Sequence, residues 1–180
     1  MYVDPDPECD EEGWGTVRSA VVPAVAIVAF GGSYVSTYGL DRYLTYTELL
    51  GPHGAVLQFA LLAGIVVLHE GIHAAAYAIA GGLSRDEIEV DVEFDLEGGV
   101  DPIRHSVHPA RPIRRWVYYV GVAAPGVVLG VVPSAVAVAT GNPLAMFVGV
   151  VGLVLLSTDV GALVTAWRNP ESIAASDPAY

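Results

Sequence analysis

Lysine is absent from all 180 residues: the eight basic side chains are arginines, set against twenty acids for a net charge of −12. No basic patch is present to neutralise phosphates, which argues against a nucleic-acid partner. Cysteine occurs once, at Cys9, so no disulfide can form within the chain and the redox compartment is left open. A basic, then apolar leader is missing as well. The N-terminus is acidic and runs some sixteen residues before any apolar stretch, so the first apolar run is expected to stay as an anchor rather than be cleaved. Acid-rich polar parts without lysine are what a salt-loving source would give, although an ordinary acidic protein would read the same way.

Charge is also scarce in four long apolar stretches, and these dominate the chain. The hydrophobic fraction is 53% and the mean hydropathy +0.52, which puts an integral, multi-pass membrane protein first. The runs cover about 17–38, 54–80, 113–140 and 143–167, each long enough to cross a bilayer at ~1.5 Å per residue. The expected fold is mainly α: a polytopic bundle of four transmembrane helices with a small β insertion between the second and third. Residues 1–16 read as a disordered acidic tail, 17–168 as one membrane domain, and 169–180 as a short polar C-terminal tail. Residues 39–53 read as a connector whose Tyr43 and Tyr46, with Tyr38, suit an interfacial aromatic belt.

The insertion, about 84–108, has its own signature. From Glu87 to Glu97 acid and apolar residues alternate without a break, the period of a β-strand with one wet face. Gly98-Gly99 offers a turn and Val100 to Val107 a returning strand. The apolar face would pack on the helices or the lipid interface; the alternative is an edge strand that pairs with an extended substrate. His105 and His108 read as lying just beyond, in a loop broken by Pro102, Pro109 and Pro112. They suit a surface or substrate-side role better than metal ligation.

The second run contains His69-Glu70-Gly71-Ile72-His73. Residues four apart share a helix face, so His69 and His73 can address one metal ion, with Glu70 beside them to take a proton from water. The alternative is a coincidence of two core histidines satisfied by backbone. Burial in an apolar span weighs against it, since unpaired imidazoles and a carboxylate cost several kcal/mol there. The third run holds Pro125 and Pro133, each of which deletes a helix hydrogen bond, so a kink or locally opened backbone is expected. In the fourth, Asp159 is the only acid; with Glu70 it completes the acids of all four runs.

Four spans place both termini and the insertion on one side. Seven arginines then lie on that side and only Arg42 on the other, which predicts a cytoplasmic location for both termini. Counted from that side, His69, Asp159 and Pro125 lie within a few residues of one depth. The first two differ by about 3 Å at ~1.5 Å per residue. Asp159 is therefore the expected third ligand, completing two nitrogens, one oxygen and a water around a single zinc ion. Alternatively it is a protonated acid bonded to Ser157, Thr158 or a neighbouring helix.

The motif span, the span led by Arg114-Arg115-Trp116 with Ala124-Pro125, and Ser157-Thr158-Asp159-Val160 resemble, in that order, intramembrane zinc metalloproteases of the site-2 protease type. Closer still is a family of small four-span membrane proteins described as zincin peptidases. The resemblance covers about 50–168. It implies His69, His73 and Asp159 as ligands of one zinc ion, Glu70 as general base and acid, and hydrolysis of peptide bonds in a membrane protein or peptide. Pro125, with His105 and His108, would lie on the substrate side. The chain departs from the site-2 pattern in having no Asn-x-x-Pro element in its third span and Val160, not glycine, after Asp159. From that departure comes a second class of function, a zinc-binding membrane scaffold or regulator without catalysis. The sequence leaves the substrate and the oligomeric state open, a homo-oligomer included.

Overall fold

The computed structural model describes residues 11–49, 51–94, 103–110 and 113–168. Helix α1 (Glu11–Tyr38) is followed by α2 (Leu40–Leu49), α3 (Gly54–Gly81), strands β1 (Ile88–Phe94) and β2 (Ile103–Pro109), then α4 (Arg115–Pro125), α5 (Val132–Thr140) and α6 (Pro143–Arg168). Four helical stretches are long and apolar enough to cross a membrane: Ala20–Tyr38, Gly51–Gly81, Arg115–Thr140 and Pro143–Arg168. Their outward residues are apolar, as at Val28, Phe59, Val67 and Ile79, which suits hydrocarbon rather than water.

The helix boundaries follow from local chemistry. Gly82, at φ 63°, takes the left-handed conformation that closes α3, which a Cβ would disfavour. Asn142 starts α6: its Oδ1 accepts from the backbone N–H of Leu144 and Ala145 at 3.0 and 3.1 Å, and Pro143 stands first in the helix, where no N–H is needed. Helix α1 begins at Glu11 and so takes in 11–16 of the polar stretch. Residues 1–10 and 169–180, assigned to tails from sequence, lie outside the described residues.

The stretch after α1 departs from its reading as a connector, because it forms α2. Nor does Tyr46 belong to an interfacial belt. It is buried against Ile65, Leu129 and Phe147, its ring stacked on Phe147 at 4.6 Å and its hydroxyl accepting from Gln58 Nε2 at 3.2 Å. A ten-residue helix gives the tyrosine a direction that an open connector would not, so its ring turns into the bundle.

Between Pro125 and Pro133 the third span is locally opened. Residues Gly126–Val131 form a π-helical segment that ends with Val132 N–H bonded to the Val127 carbonyl, five residues back. Pro133 has no N–H to give the Leu129 carbonyl, and its ring crowds that position in a regular α-helix; the wider turn relieves both. On α6 the facing residues are small. A Cβ on Gly152 would lie 2.4 Å from the Leu129 carbonyl carbon and oxygen, and one on Gly149 would lie 2.2 Å from Ser134 Oγ. The opened helix and α6 thus touch backbone to backbone, the kind of contact that fixes helix pairs in lipid.

The insertion is an antiparallel pair with Glu89 opposite His108, Val90 opposite Val107 and Val92 opposite His105. Ile88 and Val107 pack onto the buried group Tyr77, Leu83, Ile113 and Val117, so the hairpin docks on the ends of α3 and α4. The Gly98-Gly99 turn lies outside the described residues. His105 and His108, read from sequence as lying in a loop, fall within β2. Pro109 is tolerated as its last residue, opposite Ile88.

Candidate metal centre

Helix α3 turns one face inward at Ile65, His69, His73 and Tyr77, a regular spacing of four residues that keeps side chains in one stripe. Helix α6 crosses it with Asp159. All three polar groups are buried, His69 at 3% exposure, His73 at 7% and Asp159 at 7%. His69 Nε2 and His73 Nε2 lie 3.2 Å apart. Asp159 Oδ2 is 3.3 Å from His69 Nε2, and Oδ1 is 3.4 Å from His73 Nε2. Glu70, half-buried, lies with the two histidines in a group whose ligand atoms fall within 4.8 Å of one another.

One hydrogen bond in this cluster fixes the place of a proton. His73 Nδ1 stands 2.9 Å from the carbonyl oxygen of Gly121 on α4. A carbonyl only accepts, so Nδ1 carries the proton and a neutral His73 points the Nε2 lone pair at Asp159. Asp159 Oδ2, although 3.3 Å from His69 Nε2, has no aligned hydrogen-bond partner, and neither does His69 Nδ1. Ser157 and Thr158 do not supply one, since their hydroxyls donate to the Val154 and Leu155 carbonyls of their own helix at 2.7 and 2.8 Å. His69 Nε2, His73 Nε2 and the Asp159 oxygens therefore converge, and with His73 neutral and protonated at Nδ1, His69 is the one imidazole left to donate between them.

That arrangement fits a metal cation. Zinc holds nitrogen and oxygen ligands at about 2.0–2.2 Å, and the edge of a tetrahedron of that size is about 3.3–3.6 Å. The observed separations of 3.2, 3.3 and 3.4 Å lie close to that edge, the two histidines facing different oxygens of the Asp159 carboxylate. The carbonyl on His73 Nδ1 is the outer partner that orients a metal-binding imidazole.

The remaining sequence-predicted residues fall in different places. Pro125 is buried on α4 one turn beyond Gly121, at the mouth of the π segment. His108 is a partly exposed strand residue paired with Glu89 at 3.2 Å, and His105 stands opposite Val92 in the same hairpin. The two carboxamides described are engaged elsewhere, Gln58 with Tyr46 and Asn142 as the cap of α6. Gly121 and Tyr77 are the residues that sequence reasoning missed. A glycine one turn before Pro125 on the span facing the histidines was the available signal for Gly121, and the i+4 step from His73 for Tyr77.

Residues 62–174 match the model of a protein family described as "Putative zincin peptidase". No curated protein and no solved structure matches the chain.

Proposed function

The chain belongs to that family, and from this premise we propose that it is a zinc-dependent peptidase of the intramembrane, site-2 protease type. The observation that carries the reading is the convergence of His69 Nε2, His73 Nε2 and the Asp159 carboxylate at separations of 3.2, 3.3 and 3.4 Å, with the His73 proton held on Nδ1, away from the shared side. One zinc ion per chain would be held by these three residues. When bound, zinc supplies an acidified water and a Lewis acid for a peptide carbonyl.

The chain's own residues do the rest. Glu70, next in sequence to a ligand, takes the proton from the attacking water and delivers it to the leaving amine. His73, held by Gly121, keeps one tautomer through the cycle. The π segment beyond Pro125 is irregular backbone at membrane depth, which suits the wall of a cavity that admits water and an unwound substrate. The arginine asymmetry supports cytoplasmic termini and a site nearer the cytoplasmic face, with a membrane-protein or peptide segment as substrate.

A second reading rests on the carboxamides. Gln58 and Asn142 are committed to structural bonds, so neither is available to hold a substrate carbonyl. That suits a membrane scaffold or regulator that binds zinc without turnover. Purified wild type and Glu70→Gln, each assayed for zinc content and for cleavage of a panel of membrane-segment substrates, separate the two. Equal zinc in both with cleavage lost in Glu70→Gln supports the peptidase, and equal zinc without cleavage in either supports the scaffold. Wild type that takes up no zinc when supplied with it sinks both.

A further inference from the structure

Two side chains of α3, one turn apart, grip α4 at a single residue. His73 donates from Nδ1 to the Gly121 carbonyl at 2.9 Å. Tyr77 lays its ring where a side chain on residue 121 would begin: a Cβ there would fall 2.1 Å from Tyr77 Cε1 and 2.6 Å from Cδ1 and Cζ. The ring has nowhere else to go. Tyr77 is 2% exposed and closed in by Leu83, Ile113 and Val117, with Ile88 and Val107 of the hairpin packed behind.

We propose that Tyr77 is a positioning residue for the metal site, its ring seated on the bare Cα of Gly121 so that the Gly121 carbonyl stays on His73 Nδ1. The proposal rests on reading His69, His73 and Asp159 as ligands. Its physical content is a spacing. The thickness of one aromatic ring against a residue with no side chain sets how closely α4 approaches α3, and a hydrogen bond of 2.9 Å tolerates little drift. With the carbonyl in place, His73 holds the proton on Nδ1 and faces the metal with Nε2. With the carbonyl displaced, the ring is free to rotate or to take the other tautomer. Loss of such an outer partner weakens metal binding about ten- to hundredfold. The spacing depends on the ring and not on its hydroxyl, so phenylalanine should serve as well. Because the hairpin packs behind Tyr77, it becomes part of the support of the metal site rather than an appendage.

The test uses the full chain in lipid nanodiscs, with two readouts for wild type, Tyr77→Phe, Tyr77→Ala, Gly121→Ala and the double variant Gly121→Ala/Tyr77→Ala. The first is nitrogen NMR of histidine-labelled, metal-free protein, with the His73 signals identified by their loss in His73→Gln. Wild type and Tyr77→Phe should show a single tautomer protonated at Nδ1, and Tyr77→Ala a mixture. The second is zinc affinity by chelator competition. Tyr77→Ala and Gly121→Ala should bind about ten- to hundredfold more weakly, Tyr77→Phe as wild type, and the double variant more tightly than Gly121→Ala alone. If Gly121→Ala does not fold, the Tyr77 pair decides. A Tyr77→Ala protein that keeps the single tautomer and wild-type zinc affinity overturns the proposal. If wild type takes up no zinc while the tautomer difference is present, the ligand assignment fails and the positioning role stands.

Discussion

His69 Nε2 and His73 Nε2 stand 3.2 Å apart on successive turns of α3, with the Asp159 carboxylate of α6 closing the third side. Two imidazole nitrogens at that distance share a proton or a cation, or else they repel. The Gly121 carbonyl accepts a hydrogen bond from His73 Nδ1–H and thereby keeps that proton away from the shared side. Packing holds the three groups together, since α6 rests through Gly149 and Gly152 on the span that carries Gly121. The site is preorganised, and this has measurable consequences.

Metal removal should destabilise the wild type measurably. Zinc present at about 100 times its Kd adds about 2.7 kcal/mol to the folded state. Thermal unfolding in nanodiscs with zinc and with chelator should show that gap, and His73→Ala should show none. A wild-type midpoint indifferent to chelator would contradict the ligand assignment.

Asp159→Ala should lose zinc at least as severely as the ten- to hundredfold expected of an outer partner, because it deletes a ligand. His105→Ala/His108→Ala should leave zinc content unchanged, as His108 is paired with Glu89 on the hairpin. Elemental analysis of the three purified proteins checks both statements. Zinc lost with the strand histidines and kept without Asp159 would reverse the assignment.

Two glycines should respond in opposite directions to alanine. A Cβ on Gly152 meets backbone atoms of Leu129 at 2.4 Å, so the helices must part, a strain of about 1–3 kcal/mol or more. A Cβ on Gly71, inside the metal motif, meets nothing within 4 Å, and alanine there should be neutral or stabilising by up to about 1 kcal/mol. Thermal or denaturant unfolding of both variants measures the contrast; equal loss in both would show that α6 does not pack as described.

The Glu89–His108 pair should matter little. Both side chains are about half exposed, at 58% and 45%, so Glu89→Gln should change stability by no more than about 1 kcal/mol. Val107→Asp should be far more damaging, because Val107 packs on the Tyr77 group. Hydrogen exchange over the hairpin amides distinguishes local loosening from an unchanged strand.

Much of this architecture was legible because hydrophobic length and period are strong signals. Four long apolar runs led to four spans, and an unbroken alternation from Glu87 led to β1. The depth count brought Asp159 level with His69, and the two meet in the structure. What sequence could not convey was direction and close contact. Tyr46 looked like a belt residue because tyrosine is amphipathic, and only the helix at Leu40–Leu49 turns it inward. Pro125 and Pro133 announced a break without saying that it would be a π segment, since the choice depends on how Gly152 fills the space beside Leu129. Gly121 and Tyr77 were invisible because a glycine and a tyrosine in an apolar span carry no chemistry until their partners are known.

The last helix packs against α1, α2, α4 and α5 and carries Asp159. During synthesis, the histidine pair therefore enters the membrane well before the carboxylate that completes the cluster. Without α6, the two imidazoles and Glu70 would lack Asp159, and the opened span would lack its clamp. If Asp159 is the third ligand proposed above, the complete set of zinc ligands exists only once α6 is in place.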